Sequence, residues 1–163
     1  MRKRKSKIFT IGYDGKTMTA TRLVVIVQSM WGLLIDCRSS PRSRKPGFGQ
    51  RQLEAELDEH YRWSGDALGG RNGGPTKRGI KALAALNDAA KSPLILMCKE
   101  ELPGDCHRSI IADDLWVDFN LETFHIVEEE VISHTEFRNH VKSKGGDYAV
   151  APLADQFRKG TRR

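Results

Sequence analysis

Three short apolar runs, separated by segments of helical periodicity, most restrict the fold of this chain. They lie at residues 8–11, 33–35 and 94–97. Runs of this length that are almost entirely apolar are typical of parallel strands covered on both faces. The patterns around them predict helices at residues 19–30, 53–61, 76–90 and 106–120. This alternation predicts an α/β fold, here a three-layer sandwich with a mostly parallel sheet.

The remaining sequence patterns indicate further strands and the extent of the domain. Residues 61–68 are predicted to hold a short strand, and residues 123–127 a further one. A length of 163 residues without repeats predicts a single α/β domain with its core at about residues 8–135. Residues 1–7 are a basic extension. The patterns fade beyond Val131, so residues 142–163 are predicted to be a loosely ordered tail.

The positive charge of the chain is clustered. Its net charge is +6, and the excess lies at residues 2–7, 38–51 and 158–163. Clustering favours a polyanionic partner such as a nucleic acid, although solvated surface explains it equally well. Few aromatic residues accompany the basic runs, so phosphate contact is expected rather than base stacking. No apolar run approaches the roughly 20 residues of a membrane helix, so a cytoplasmic protein without a membrane partner is predicted.

Polar residues follow each predicted strand at the same end. Gly12 and Tyr13 follow the first strand, Asp36 and Arg38 the second, and Glu100 comes shortly after the run at 94–97. The carboxyl ends of parallel strands form the ligand crevice of open α/β sheets. These residues are therefore predicted to line one crevice. The long loop at 39–49, rich in Pro, Gly, Ser and Arg, is of a kind that is usually functional or mobile.

A Cys-His-Arg triplet is the most chemically reactive motif. The turn residues 103–105 precede Cys106, His107 and Arg108, which are predicted to open a helix. A helix N-terminus favours an anion or a reactive thiolate. Cys106 could equally be a buried packing residue, since free cysteine is among the most buried residue types. The odd number of cysteines, three, favours free thiols or ligands over a disulfide framework.

Several of these motifs together resemble the DUF488 family of small bacterial, archaeal and phage proteins of uncharacterised function. The resemblance spans roughly residues 8–115 and implies an α/β fold and a shared site. Two positions depart from the family pattern: Tyr13 stands where a histidine is usual, and Cys37 where a valine is typical, which makes Cys37 a doubtful catalytic residue. The motifs that carry the resemblance are Thr10-Ile11-Gly12, Asp36-x-Arg38-Ser39-x-Pro41-x-Ser43, Leu68-Gly69-Gly70, Cys98-x-Glu100 and Cys106-His107-Arg108-Ser109.

The candidate roles follow from side-chain chemistry. Glu100, Cys106 and His107 are the catalytic candidates, as a proton carrier, a thiol and a general acid or base. Arg38 and Arg108 offer bidentate donors to a phosphate or carboxylate, but structural pairs, for example Asp36 with Arg108 or Glu100 with Arg38, are an equally good interpretation. The residues predicted to bind an anion are Arg38, Arg108, Arg42 and Arg44, and the supporting residues are Asp36, Gly12, Tyr13, Gly69 and Gly70.

No metal or cofactor is predicted. Cys98, Cys106 and His107 could ligate zinc, but they lack Cys-x-x-Cys spacing, and adjacent residues of a helix point in different directions. The loop after Asp36 also fails the Cys-x5-Arg spacing of phosphatases, because Ser43 stands where arginine would be. His60, His125, His134 and His140 have no partner at informative spacing and are interpreted as surface or core residues.

The leading functional hypothesis is an enzyme that acts on a nucleotide or nucleic acid. In it, Arg38 and Arg108 position a phosphate, Glu100 or His107 moves a proton, and Cys106 assists or attacks. The alternative is a non-catalytic module that binds nucleic acid or a partner through the basic loop and termini. A third possibility is a thiol redox or sulfur-handling protein.

Overall fold

A computed structural model describes residues 7–71 and 74–143 of the protein. Its centre is one six-stranded sheet in the order β3-β2-β4-β1-β5-β6. Neighbouring strands run parallel, except for β6, which pairs antiparallel with β5 at one edge. The mostly parallel α/β sheet is therefore confirmed. The strands are β1 (Ile8–Gly12), β2 (Leu33–Asp36), β3 (Tyr61–Trp63), β4 (Leu94–Cys98), β5 (Thr123–Val127) and β6 (Glu130–Ser133).

Helices cover both faces of this sheet. Their bounds are α1 (Ala20–Ser29), α2 (Gln50–Leu57), α3 (Gly65–Leu68), α4 (Lys77–Ala89), α5 (Arg108–Phe119) and α6 (His134–Ser143). Two 3₁₀ turns, Asp58–His60 and Pro103–Asp105, complete the described elements.

The central strand β4 shows how the apolar runs build two cores. Leu94 and Leu96 pack into a cluster with side chains of α4 and α5. Ile95 and Met97 point to the opposite face and join α1 and α2. Every residue of β4 is buried, as its uninterrupted apolar sequence predicts. Each large side chain buried in this way contributes about 1.5–3 kcal/mol relative to an exposed one.

Short polar side chains set the starts of two helices. The Thr19 hydroxyl accepts a hydrogen bond from the Arg22 amide at the start of α1. Thr76 accepts one from the Gly79 amide at the start of α4, as expected of an N-cap threonine. These caps stabilise each helix by about 1 kcal/mol.

The helix of the Cys-His-Arg triplet begins later than predicted. Pro103–Asp105 forms a 3₁₀ turn, and Cys106 follows it in an extended conformation with φ −139° and ψ 151°. The helix α5 therefore starts at Arg108, with His107 at its N-cap. The prediction that Cys106 opens the helix is wrong, because the proline turn places the cysteine in extended backbone before the first helical residue.

The chain beyond residue 128 has more structure than its sequence indicates. A tight turn with Glu128 at φ 55° leads into β6, and α6 follows directly. Only Ile132 of β6 is buried, so this edge strand carries little apolar pattern. Residues 1–6 and 144–163, which hold most of the predicted extension and tail, lie outside the described residues. Among the described residues, no helix has the length and apolar character needed to cross a membrane.

Candidate active site

A polar cleft opens at the carboxyl ends of β1, β2 and β4. Its volume is about 840 Å³, and segments that follow each of these strands line it. At Gly12, the end of β1 approaches the backbone beyond β4 so closely that a Cβ atom would lie 1.7 Å from the Glu100 carbonyl oxygen. Glycine is therefore required where these two walls meet. The lining residues are Tyr13, Asp14, Arg38–Ser40, Arg42–Lys45, Gly70, Arg71, Cys98–Glu100 and Asp105–His107.

Arg38 is held by internal partners. Its Nε and Nη2 donate to the two carboxylate oxygens of Asp36 at 2.8 and 2.6 Å, and its Nη1 donates to the Phe48 carbonyl at 2.7 Å. Tyr61 donates to the same Asp36 carboxylate at 2.6 Å. Burial lowers the pKa of Arg38, but the bonds to Asp36 outweigh it and hold the guanidinium charged. Only 5% of the Arg38 side chain is exposed.

The predicted anion-binding role of Arg38 is therefore revised. Asp36 occupies the Nε and Nη2 donors of the Arg38 guanidinium. The remaining Nη1 donates to the Phe48 carbonyl and so ties the loop to the sheet. Tyr13 stacks on Phe48 with ring centroids 4.5 Å apart and lies 5.2 Å beneath the Arg38 guanidinium. Asp36, Arg38 and Tyr13 together fix the base of the loop at 39–49.

Arg108 is also an internal clamp. It has no exposed surface. Its Nη2 donates to the Glu100 carbonyl at 2.6 Å and to the Glu101 carbonyl at 3.3 Å, and its Nη1 donates to the Thr10 hydroxyl at 3.3 Å. It does not line the cleft. The Arg108 guanidinium is therefore engaged within the protein, buried behind the loop that it holds.

Cys98, Cys106 and His107 come together on the floor of the cleft. The His107 Nδ1 lies 3.7 Å from the Cys98 Sγ and 3.6 Å from the Cys106 Sγ. All three ligand-type atoms lie within 4.8 Å of one another. The Glu100 Oε2 lies 3.5 Å from the Cys98 Sγ. We call these four residues the reactive cluster.

The electrostatics of the reactive cluster favour one thiolate. The hydrogen bond from Cys98 lowers the pKa of Cys106, and His107 and Arg108 add to the effect against the opposing influence of burial. The bond to Cys106 and burial raise the pKa of Cys98. Burial lowers the pKa of His107, but the neighbouring Cys106 outweighs it and the pKa is raised. Burial, followed by the charge of Cys106, raises the pKa of Glu100.

The rim of the cleft is rich in exposed cations. Arg42 and Arg44, predicted to bind an anion, line it with exposed side chains. Arg71 and Lys99 are exposed lining residues that the sequence interpretation did not single out. Lys45 is tied inward by bonds to the carbonyls of Tyr13 and Gly15 at 2.7 and 2.8 Å. We call Arg42, Arg44, Arg71 and Lys99 the basic rim.

The two glycines after α3 bring its end against the site. A Cβ atom on Gly69 would lie 2.3 Å from the Ser39 hydroxyl, and one on Gly70 would lie 2.9 Å from the His107 Nδ1. Both supporting positions therefore need a small residue. Cys37, which the sequence makes a doubtful catalytic residue, is fully buried, and burial raises the pKa of its thiol.

The structure also reveals a buried histidine relay that the sequence interpretation missed. The Thr10 hydroxyl bonds the His125 Nδ1 at 2.7 Å, and the His125 Nε2 bonds the His134 Nδ1 at 2.9 Å. The His134 Nε2 donates to the Asp113 carboxylate at 3.0 Å. Both histidines lie in the core, and the interpretation that they have no partner is wrong. One sequence signal could have indicated that His125 is buried. Side chains of a strand alternate between its two faces, so the polar Thr123 and His125 lie on the same buried face of β5 as Val127.

Comparison with known proteins gives one family match. Residues 28–81 match the family described as Domain of unknown function DUF488. This segment contains the Asp36-x-Arg38 and Leu68-Gly69-Gly70 motifs, and the match confirms the family resemblance. Neither the curated proteins nor the solved structures give a match.

Proposed function

We propose that this DUF488-like protein is an enzyme that acts on a phosphate-containing nucleotide or nucleic-acid substrate in the cleft. One observation carries the proposal: the reactive cluster lies on the floor of a cleft whose mouth carries the basic rim. The rim supplies charge for the phosphates, and the cluster supplies groups that move protons and react with electrophiles.

The basic rim is suited to phosphate because its four cationic side chains are exposed to solvent. Arg42 and Arg44 project from the loop whose base Arg38 and Asp36 hold. Arg71 and Lys99 approach from other walls of the cleft. Cations spread around one opening attract a polyanion and contact more than one phosphate. Two exposed carboxylates, Asp14 and Asp105, also line the cleft and keep the rim from being uniformly positive.

The reactive cluster favours catalysis over simple binding. A phosphate-binding surface needs cations and amides, whereas this floor holds two thiols, an imidazole and a carboxyl group within reach of one another. Glu100 or His107 moves a proton during the reaction, and Cys106 assists or attacks. Arg38 and Arg108 position the loops and not the phosphate.

Salt-dependent binding of a labelled oligonucleotide tests the substrate class. Fluorescence anisotropy is measured over a salt series for the full chain and for Arg42→Gln with Arg44→Gln. Each phosphate contact removed is expected to reduce the slope of log K against log[salt] by about 1. Arg78→Gln is the matched control, since Arg78 is exposed on α4 away from the cleft. An unchanged slope in the double variant would refute the assigned substrate class.

Turnover distinguishes an enzyme from a binding module. The protein is incubated with a panel of nucleoside phosphates and oligonucleotides, and products are detected by mass spectrometry. Glu100→Gln and His107→Gln are expected to abolish product formation while retaining oligonucleotide binding. Binding without any product from the unsubstituted protein would favour the non-catalytic module.

A further inference from the structure

We propose that Cys98, Cys106 and His107 form a three-residue zinc site whose fourth position faces the cleft. The binding of the metal stands on the geometry of the reactive cluster, and its catalytic role rests on the proposed function. Two thiolates and an imidazole are ligands that zinc prefers.

The two nitrogen–sulfur distances within the cluster are those of a tetrahedral metal centre. Zinc bonds of about 2.3 Å to sulfur and about 2.0–2.1 Å to nitrogen place a sulfur and a nitrogen ligand about 3.6 Å apart. The His107 Nδ1 lies 3.6 Å from the Cys106 Sγ and 3.7 Å from the Cys98 Sγ. The three ligand atoms lie within 4.8 Å of one another. Two of the three edges of a tetrahedral face, those between His107 and each cysteine, are thus already at the required length.

The tautomer of His107 provides a second, independent observation. Its Nε2 lies 3.2 Å from the Cys37 carbonyl oxygen, which can only accept a hydrogen bond. Nε2 must therefore carry the proton, and in neutral imidazole the Nδ1 lone pair is directed to the two sulfurs. Metal-ligating histidines typically donate their second ring N–H to a backbone carbonyl or carboxylate in this way, which fixes the ring orientation.

The backbone removes one of the two objections that the sequence raised against zinc. That objection assumed that Cys106 and His107 are adjacent residues of a helix. Cys106 is instead extended and precedes α5, so its side chain and that of His107 converge on the same point. Arg108 bonds the carbonyls of Glu100 and Glu101 and holds the segment that joins Cys98 to Cys106.

An open fourth position would make this a catalytic site. Cys98, Glu100, Cys106 and His107 all line the cleft, and three protein ligands with a bound water are typical of catalytic zinc. Zinc lowers the pKa of its water to near neutrality. Bound zinc would supply a hydroxide nucleophile for hydrolysis of the substrate, and Glu100 would accept the proton of that water and return it to the leaving group. Cys106 assists as a ligand in this scheme and does not attack.

Metal content is the primary test. The full chain is produced in zinc-supplemented medium and purified without chelator, and about one zinc per chain is expected by elemental analysis. Cobalt added to the chelator-treated protein should give the intense visible bands of a tetrahedral site with thiolate charge-transfer absorption. Cys98→Ser, Cys106→Ser and His107→Gln should each lose zinc, whereas Cys37→Ser should retain it. Zinc binding that is equal in all four variants, or absent from the unsubstituted protein, would overturn the site.

Thiol labelling keeps the test decisive if a ligand variant does not fold. The unsubstituted protein is treated with iodoacetamide before and after chelation, and labelled peptides are identified by mass spectrometry. Bound zinc should protect Cys98 and Cys106, and chelation should expose them. Rapid labelling of Cys106 that chelation does not alter would contradict the assignment and identify a free nucleophile. Oligonucleotide binding in chelator reports on the basic rim separately, so failure of the metal site and failure of the substrate class are distinguishable.

Discussion

The buried guanidinium of Arg108 donates a 2.6 Å hydrogen bond to the backbone carbonyl of Glu100. This bond joins the start of α5 to the segment that follows β4, and therefore sets how Cys106 and His107 face Cys98. A residue that a sequence pattern assigns to ligand binding is here a support for the reactive cluster. The geometry of the site thus depends on a side chain, that of Arg108, which does not line the cleft.

Arg108→Lys should destabilise the protein and disturb the reactive cluster. Lysine keeps the charge but has no planar fork to reach the Glu100 and Glu101 carbonyls and the Thr10 hydroxyl together. A loss of about 2–3 kcal/mol in the free energy of unfolding is expected, because bonds to charged groups contribute about 1.5–3 kcal/mol each. Urea denaturation followed by circular dichroism measures it. Arg51→Lys, at an exposed position of α2, should change stability by less than about 0.5 kcal/mol.

Asp36→Asn should be among the most destabilising polar substitutions in the protein. It removes the negative partner of buried Arg38 and weakens the bond from Tyr61. Leaving a buried charge unpaired costs about 3–5 kcal/mol. The same denaturation measurement applies, with Asp58→Asn at an exposed position as the control. Comparable stabilities of the two variants would show that the Asp36 pair does not hold the loop.

Gly12→Ala should damage the cleft through a steric clash. The added Cβ would lie 1.7 Å from the Glu100 carbonyl oxygen, and neither segment of backbone moves without disturbing the sheet. Overpacking of this kind costs about 1–3 kcal/mol. Gly15→Ala is the comparison, since its Cβ would meet only the flexible carboxylate end of Glu101. Thermal unfolding should show a clear decrease for Gly12→Ala and a small one for Gly15→Ala; the reverse order would contradict the close approach.

The buried relay predicts a loss of stability in mild acid. Burial, followed by the charges of His134 and Arg108, lowers the pKa of His125 well below 6.5. His125 thus stays neutral in the folded protein while it takes up a proton in the unfolded chain below that pH. The contribution of this residue to the free energy of unfolding should therefore fall as the pH decreases below about 6.5, by up to about 1.4 kcal/mol per unit, whereas the raised pKa values of His107 and Glu100 act in the opposite sense.

The acid prediction is checked by urea titrations between pH 8 and pH 5. His125→Gln should show a shallower pH dependence than the unsubstituted protein, since glutamine does not titrate. His60→Gln, which alters a histidine outside the relay, should retain the full slope. Identical slopes in all three proteins would show that His125 does not contribute to the acid sensitivity.

The sequence predicts the location of the site better than the orientation of its side chains. Apolar runs position β1, β2 and β4, and parallel pairing then brings Gly12, Arg38 and Glu100 to one edge. Whether a guanidinium faces a cleft or turns back to a carboxylate two residues earlier depends on loop geometry. The long loop after β2 carries no periodic pattern from which that geometry could be predicted.

Two further elements show why short-range patterns were insufficient. The sequence predicts a turn at Pro103–Asp105, but the 3₁₀ form of this turn delays the start of α5 and changes where Cys106 points. In β5, His125 forms its hydrogen bond with His134, which lies nine residues later on another element. The antiparallel hairpin of β5 and β6 brings these two histidines together.

A crystal structure of the full chain soaked with a nucleoside monophosphate tests the central claim most directly. The account predicts phosphate density within hydrogen-bond reach of at least two members of the basic rim, with the rest of the nucleotide directed toward Cys106 and His107. It also predicts that Arg38 and Arg108 keep their bonds to Asp36 and to the Glu100 carbonyl. Nucleotide bound outside the cleft, or a phosphate held by Arg38 and Arg108 after those bonds have broken, would contradict it.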